Sequence, residues 1–165
     1  MIDISMTGAT IDINGNGLSV KGINEFASDG NPIAVSDTDV ADGDMNLNGI
    51  LVTWYKPTPI RISFTLIPGS DSEQKINTFL TAVHIGGKGS NVADAYIKSL
   101  TITAPCGNDN SATNSKGHMS WTFLNGRLLS GPLGQGTNNE GREDSKTYTF
   151  IFESISSQSN KKKMT

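Results

Sequence analysis

The chain has 165 residues, which is the length of a single domain, and 35% of them are apolar, with a mean hydropathy of −0.28. No stretch reaches the ~20 consecutive apolar residues of a membrane-spanning helix, and we expect no secretory leader because the first residues lack a basic segment followed by an apolar one. The single cysteine, Cys106, excludes an intramolecular disulfide and a zinc site built on paired cysteines.

Charge is distributed unevenly along the chain. The formal net charge is −3, but three of the 13 basic residues form the run Lys161–Lys163 close to the end. The first 160 residues therefore hold 10 basic and 16 acidic residues, a net charge of −6. Because affinity for phosphate requires a basic face, we expect this body to bind duplex DNA poorly.

Turn-forming residues dominate the composition and predict a mainly β protein. Glycine, asparagine and serine account for 51 of the 165 residues, and they favour turns through positive φ angles or local side-chain hydrogen bonds. Residues 9–20 surround the turn Asn14-Gly15-Asn16-Gly17, which predicts a first β-hairpin. Residues 22–49 show no sustained period, so we predict a long loop with at most short extended pieces such as Ile33–Val35.

Five later segments have the alternation or the apolar content of strands. Residues 60–67 alternate cleanly between apolar and polar side chains, which indicates a half-buried antiparallel strand. We predict the other strands at residues 51–55, 97–104, 118–124 and 146–153. Inward-facing side chains are expected to include Ile60, Ile62, Phe64, Leu66, Leu100, Ile102, Met119, Trp121, Phe123, Tyr148, Phe150 and Phe152.

One helix is predicted at about residues 71–84. Ser70 and Glu73 fit the S-x-x-E capping box, and apolar residues recur at helical spacing from Ile76 to Val83. The expected fold is two packed antiparallel sheets, a sandwich or barrel, with this helix at one side. We expect one domain over residues 1–153 and a polar, lysine-ended tail over residues 154–165. The core is expected to include Trp54, Phe64, Phe79, Leu80, Trp121 and Phe150.

Few residues suit catalysis or metal binding. The only two histidines, His84 and His118, are interpreted as surface residues, while a partner close in space stays open for each. The acidic residues that begin at Asp37 have the wrong spacing for an EF-hand, which needs an oxygen ligand at position 5 and glutamate at position 12. The Gly86–Ser90 segment follows a helix, unlike a phosphate-binding loop. We therefore expect no enzyme activity, no cofactor and no metal.

Two adjacent aromatic residues leave another function open. Trp54 and Tyr55 are neighbours in one predicted strand, so only one of them can face the core. The other is a candidate for stacking on a sugar or a base. A carbohydrate-binding β-sandwich module is therefore an alternative function.

The middle and the end of the chain resemble a known family. The series Asn48-Gly49-x-Leu51-Val52-Thr53-Trp54-x-Lys56-Pro57-x-Pro59-Ile60 runs into a strand that ends at Ile67-Pro68-Gly69-Ser70. Gly126, Ser130-Gly131-Pro132, Gly141-Arg142 and Lys146-Thr147-Tyr148-Thr149-Phe150 follow in order. Over roughly residues 10–153, this order resembles the tail tube protein of contractile-tailed bacteriophages, which is related to the tubes of type VI secretion systems and phage-tail-like bacteriocins.

The resemblance implies a structural subunit of the virion tail, made in the cytoplasm of the host bacterium. It implies homohexameric rings that stack into a hollow helical tube inside the tail sheath protein. The tape measure protein and then DNA would occupy the lumen during genome ejection, without specific nucleic-acid binding and without a membrane. A type VI secretion-like tube subunit is an alternative with the same fold.

The acidic residues of the predicted loop 22–49 are candidates for contacts between subunits or for the wall of the lumen. The loop lacks the pattern of a segment that is ordered by itself, so neighbouring subunits are expected to order it. An acidic wall would repel DNA phosphate and prevent it from sticking. The candidates are Glu25, Asp29, Asp37, Asp39, Asp42 and Asp44.

Overall fold

A computed structural model describes residues 2–3, 8–15, 19–28, 31–82, 96–105, 107–108, 118–132, 141 and 143–161. These residues form a mainly β fold with one helix, as predicted. The elements in chain order are β1 (Ile2–Asp3), β2 (Thr10–Gly15), β3 (Ser19–Ile23), β4 (Ile33–Val35), β5 (Ala41–Met45), β6 (Leu51–Tyr55), β7 (Ile60–Leu66), α1 (Asp71–Ala82), β8 (Ile97–Ala104), β9 (Gly107–Asn108), β10 (His118–Ser130) and β11 (Lys146–Lys161).

Seven of these strands form one antiparallel sheet in the order β3-β2-β8-β10-β11-β7-β4. The short strands β1 and β9 pair with each other, as do β5 and β6, in two separate two-stranded sheets. The long strands β10 and β11 lie side by side in the large sheet, and their ladder contains two register shifts. Such irregularities bend the strands and increase their twist, which helps a sheet to curve.

The large sheet closes on itself through the segment that follows β3. The amide of Ala27 donates to the carbonyl of Thr65 at 2.9 Å, and the amide of Ile67 donates to the carbonyl of Glu25 at 3.1 Å. Their partners belong to β7 or follow it directly, and β4 pairs with β7 along the same strand. One interrupted strand, β3 and then β4, therefore contacts both ends of the sheet. The predicted sandwich or barrel is a barrel built from one continuous sheet.

Inward-facing side chains from the strands and the helix fill the barrel as one large cluster. Of the residues expected in the core, Phe64, Phe79, Leu80 and Phe150 are at most 6% exposed. The rings of Phe64 and Phe150 stack with centroids 5.4 Å apart. Alternation along each strand explains this placement, because every second side chain points into the barrel.

The helix α1 lies against the β2–β3 hairpin. Phe79 packs closely on Gly15, where an added Cβ atom would come within 3.1 Å of the ring. The hydroxyl of Ser72 accepts hydrogen bonds from the amides of Asn24 and Glu25 at 3.2 and 3.3 Å. These contacts join the start of the helix to the segment that closes the barrel. The predicted end of the helix at His84 lies outside the described residues.

A buried ion pair fastens the first turn of α1 to β11. Ser70 caps the helix by accepting a hydrogen bond from the amide of Glu73 at 3.2 Å. The carboxylate of Glu73 accepts hydrogen bonds from the ammonium of Lys146, the amide of Gly69 and the side-chain amide of Asn77. Burial by itself would raise the pKa of Glu73, but these hydrogen bonds outweigh it and the pKa lies below its usual value.

Two expectations about irregular segments need correction. The predicted loop 22–49 contains the end of β3, the whole of β4 as expected, and β5, which was not expected. β5 has no periodic signal because all five of its residues are exposed. The predicted tail 154–165 is a strand as far as Lys161, since β11 continues along β10. Backbone pairing does not need apolar side chains, so a polar sequence hides this extension.

We predict that Phe79→Ala lowers the free energy of unfolding by about 3–5 kcal/mol, because a buried aromatic side chain is lost and a cavity remains. Chemical denaturation would measure the loss. Gln74→Ala, at an exposed position of the same helix, should change stability by less than about 0.5 kcal/mol. A Phe79→Ala variant as stable as the parent would contradict the packing of α1 on the barrel.

The buried ion pair predicts a stability that depends on pH. Because the pKa of Glu73 is lowered in the folded state, the pair stabilises the protein above the usual pKa of a glutamate, and this contribution is lost as the pH falls through the folded pKa. Glu73→Gln leaves the Lys146 ammonium buried without a counter-charge and should cost about 3–5 kcal/mol at pH 7.

The measurement is the unfolding free energy of the parent and of Glu73→Gln between about pH 7 and pH 3. The difference between the two proteins should shrink in acid. Asp71→Asn, which changes an exposed carboxyl in the same helical turn, is the matched control and should show a much smaller difference. A Glu73→Gln penalty that stays constant over the whole range would contradict the assignment.

Candidate interaction surface

The strands β5 and β6 form a hairpin that projects from the barrel. It lies in the connection between β4 and β7, which are already neighbours in the large sheet. Antiparallel neighbours need only a few residues to connect them, whereas this connection runs from Ser36 to Pro59. Every residue of β5 and β6 is exposed in the chain. The hairpin is therefore an addition to the barrel and contributes nothing to its core.

The two faces of the hairpin differ in chemistry. Directly paired residues share a face, and one face carries the pairs Met45–Leu51, Gly43–Thr53 and Ala41–Tyr55. This uncharged face has no acidic or basic side chain. The other face carries the pairs Asp44–Val52 and Asp42–Trp54, so it combines two carboxylates with an aromatic and an aliphatic side chain.

The tip of the hairpin is a defined turn that holds a leucine in solvent. The side-chain oxygen of Asn46 accepts hydrogen bonds from the amides of Asn48 and Ile50 at 3.0 and 2.9 Å. Gly49 has a φ of 75°, which favours glycine because it has no Cβ atom. Leu47 is 107% exposed and Ile50 is 61% exposed. The turn therefore presents apolar side chains on a rigid support.

Large apolar side chains are exposed mainly on this hairpin and the residues beside it. Eight of the twelve exposed large apolar residues of the described chain lie between residues 40 and 55: Val40, Met45, Leu47, Ile50, Leu51, Val52, Trp54 and Tyr55. Trp54 and Tyr55 alone, 50% and 77% exposed, leave roughly 250 Å² in solvent, since an aromatic side chain offers about 150–250 Å². The described chain therefore concentrates its exposed large apolar side chains on the two faces and the tip of this hairpin, whereas apolar residues scattered singly would need no explanation.

The expected placement of Trp54 in the core is wrong. Both Trp54 and Tyr55 are exposed, because β6 pairs with β5 alone among the described strands and is not part of the barrel sheet. Trp121 is partly buried, on β10, and packs against the edge of the core cluster. The sequence did contain a signal that β6 carries apolar side chains on both faces. β6 is apolar at four of its five positions, a pattern typical of strands covered on both faces.

The acidic candidates are spread over several places. The backbone carbonyl of Glu25 accepts a hydrogen bond from Ile67 that helps to close the barrel. Asp29 lies outside the described residues. Asp37 and Asp39 precede the hairpin, and the carboxylate of Asp39 lies 3.7 Å from the ammonium of Lys56 in an exposed pair. Asp42 and Asp44, on β5, each accept a hydrogen bond from the next amide of the chain. In the described part of the chain, no three such side chains come together as a metal site.

A large apolar cavity lies between the barrel and the base of the hairpin. Its volume is about 1260 Å³, which exceeds the range of about 300–1,000 Å³ for small-molecule sites. Its apolar lining includes Phe26, Ile33, Ile102, Trp121, Phe123 and Ile155, and Val40 and Tyr55 border it from the hairpin. Charged side chains at the edge are Asp39, Lys56 and Glu153. An apolar floor with a polar rim is the usual composition of a protein interface.

Neither histidine can be assigned a role from this geometry. His84 lies outside the described residues, as does the side chain of His118.

One buried polar atom in the described chain has no hydrogen-bond partner, the hydroxyl of Tyr148. Burial and the negative charge of Glu73 raise the pKa of this phenol to about 12, and it does not line the cavity. No helix among the described residues is long and apolar enough to cross a membrane.

Comparisons with known proteins place the chain in a phage tail family. Residues 2–156 match the family described as "Tail fiber protein gp32", and no curated protein matches the chain. Ten chains of solved structures match; one of them, described as "Crystal structure of Hcp protein", aligns with a TM-score of 0.42 at 10% identity over 89% of each chain. Because the family match covers almost the whole sequence, the chain belongs to the tail fiber protein gp32 family and is a structural protein of the phage tail.

Proposed function

We propose that this phage tail protein is the subunit of the tail tube, and that hexameric rings of it stack into a hollow conduit for DNA. The observation that carries the proposal is the apolar hairpin formed by β5 and β6, which is exposed on both faces. The sequence resemblance to tail tube proteins of contractile-tailed phages supports the same function. The protein is proposed to act as a building block and to catalyse no reaction.

The exposed hairpin favours assembly for an energetic reason. Burying apolar surface stabilises a contact by about 25 cal/mol per Å², and clustered exposed apolar side chains mark sites of interaction with other proteins. A chain that must remain soluble would not keep eight such side chains exposed unless a partner covers them. The defined turn at Asn46 also lowers the entropy lost on binding, because the tip is already ordered.

The barrel itself favours a partner that contacts the projection. A closed sheet leaves few free strand edges, so barrels do not readily extend by edge-to-edge pairing. The hairpin is different, since β5 and β6 pair only with each other in the described chain. A subunit of this shape joins its neighbours through an arm, and the same contact repeated around an axis produces a ring.

The lumen of the tube is proposed to carry more acidic than basic side chains. Without its terminal lysines the chain has six more acids than bases, and an acidic wall would leave DNA with little affinity for the tube. Asp37, Asp39, Asp42 and Asp44 are the proposed contributors, facing either the lumen or a neighbouring subunit. The sheath protein outside and the tape measure protein inside are proposed partners. A basic inner wall in a structure of the assembled tube would contradict this part of the proposal.

A tail fibre is the second candidate function, and the description of the matching family favours it. Fibres and tubes differ in how the copies are arranged. A fibre is an assembly of fixed size that ends in a tip, whereas a tube consists of rings whose number depends on growth along the axis. The two functions therefore predict different particles from the purified protein.

Electron microscopy of the purified protein tests the proposal, and we predict rings or tubes with a central channel. Leu51→Asp places a charge on the uncharged face of the hairpin and should reduce assembly at least tenfold, measured by sedimentation. Leu129→Asp changes an apolar residue that is 48% exposed outside the hairpin, and it should assemble like the parent. Solid rods of uniform length would indicate a fibre, and a monomer at high concentration would contradict both functions.

A further inference from the structure

None of the described residues fills the apolar cavity beside the hairpin, and its chemistry points to a protein segment. Its lining is mainly apolar, and the single unpartnered buried polar atom of the described residues, the Tyr148 hydroxyl, is not part of it. Polar side chains such as Asn24, Thr58 and Ser154 also line it, but its volume exceeds the range of small-molecule sites. An apolar segment with several side chains fits both the volume of about 1260 Å³ and the lining.

We propose that the tip of the hairpin of a second copy of this chain occupies the cavity. The inference rests on the proposed function, because it names the two surfaces through which the subunits join. Leu47, at the tip, inserts between Trp121 and Ile155 of the neighbouring copy, and Ile50 packs beside it. The polar rim, with Asp39 and Lys56, surrounds the contact.

Geometry excludes the hairpin of the same copy as the occupant. Val40 and Tyr55, at the base of the hairpin, border the cavity, whereas Leu47 lies beyond the other end of β5. Five residues of a strand span about 17 Å, so the tip points away from the cavity of its own chain. The 107% exposure of Leu47 shows the same separation. Only another copy can bring this side chain into the cavity.

The two surfaces are complementary. The tip is convex, presents Leu47 and Ile50, and is hydrogen-bonded around Asn46, and the cavity is concave and mainly apolar. Rigid apolar anchors in preformed pockets usually dominate the energy of an interface. Because the tip and the cavity are different surfaces, a contact made in one direction only is heterologous and leads to a ring or a filament, whereas two copies that exchange tips reciprocally would close as a dimer.

Two variants separate the surfaces. Leu47→Asp disables the tip and leaves the cavity intact, while Ile155→Asp, at a cavity position that is 40% exposed, disables the cavity and leaves the tip intact. Each variant alone should be monomeric in sedimentation velocity experiments. An equimolar mixture should form a complex of one copy of each, because one intact tip meets one intact cavity and the remaining pair is disabled. Its dissociation constant should be at least tenfold lower than that for self-association of either variant.

Controls keep the outcome interpretable. Circular dichroism and thermal unfolding should show that both variants fold like the parent, and the conservative Leu47→Met should assemble like the parent. If Leu47→Asp or Ile155→Asp forms tubes as well as the parent does, this inference is wrong and the proposed function still stands. The same conclusion follows if the parent forms tubes but the mixture of the two variants stays monomeric. A parent that never assembles would contradict both.

Discussion

The fold depends on the hydrogen bonds that join the segment after β3 to β7. The pairing of Glu25 and Ala27 with Ile67 and Thr65 closes the sheet into a barrel and thereby fixes which side of every strand faces the core. The same segment is attached to the start of α1 through the hydroxyl of Ser72. The buried pair of Glu73 and Lys146 then attaches that helix to β11. Closure and helix docking are therefore parts of one connected network.

Closure also explains the exposure of the hairpin. Once β4 lies beside β7, a short turn would complete the barrel, and the residues between them are not needed for it. They are free to form β5 and β6 outside the barrel, where apolar side chains have no intramolecular partner. The molecule thus has two separate apolar regions: the barrel interior stabilises the subunit, and the hairpin is the region that we propose is covered by another copy.

Much of the barrel could be predicted from the sequence, but the candidate site could not. β7 and β8 alternate because one face of each is buried, and α1 has both a cap and an apolar stripe, so local patterns determine these elements. Gly126 is required for a reason that the sequence does not show: a Cβ atom there would lie 2.2 Å from the carbonyl oxygen of Ile151. β5 has no pattern because all five of its residues are exposed, and residues 154–156 of β11 are exposed as well. Trp54 was misplaced because an apolar strand was assumed to be covered by its own chain.

We propose that another copy of the chain covers the hairpin, and amide hydrogen exchange in the assembled and monomeric forms would detect this coverage. Leu47→Asp provides a monomer for comparison. We expect assembly to slow exchange at two separate places, the hairpin over residues 41–55 and the strands that line the cavity around Trp121 and Ile155, while exchange in α1 stays unchanged. Equal exchange of the hairpin amides in the assembled and monomeric forms would show that no second copy covers the hairpin.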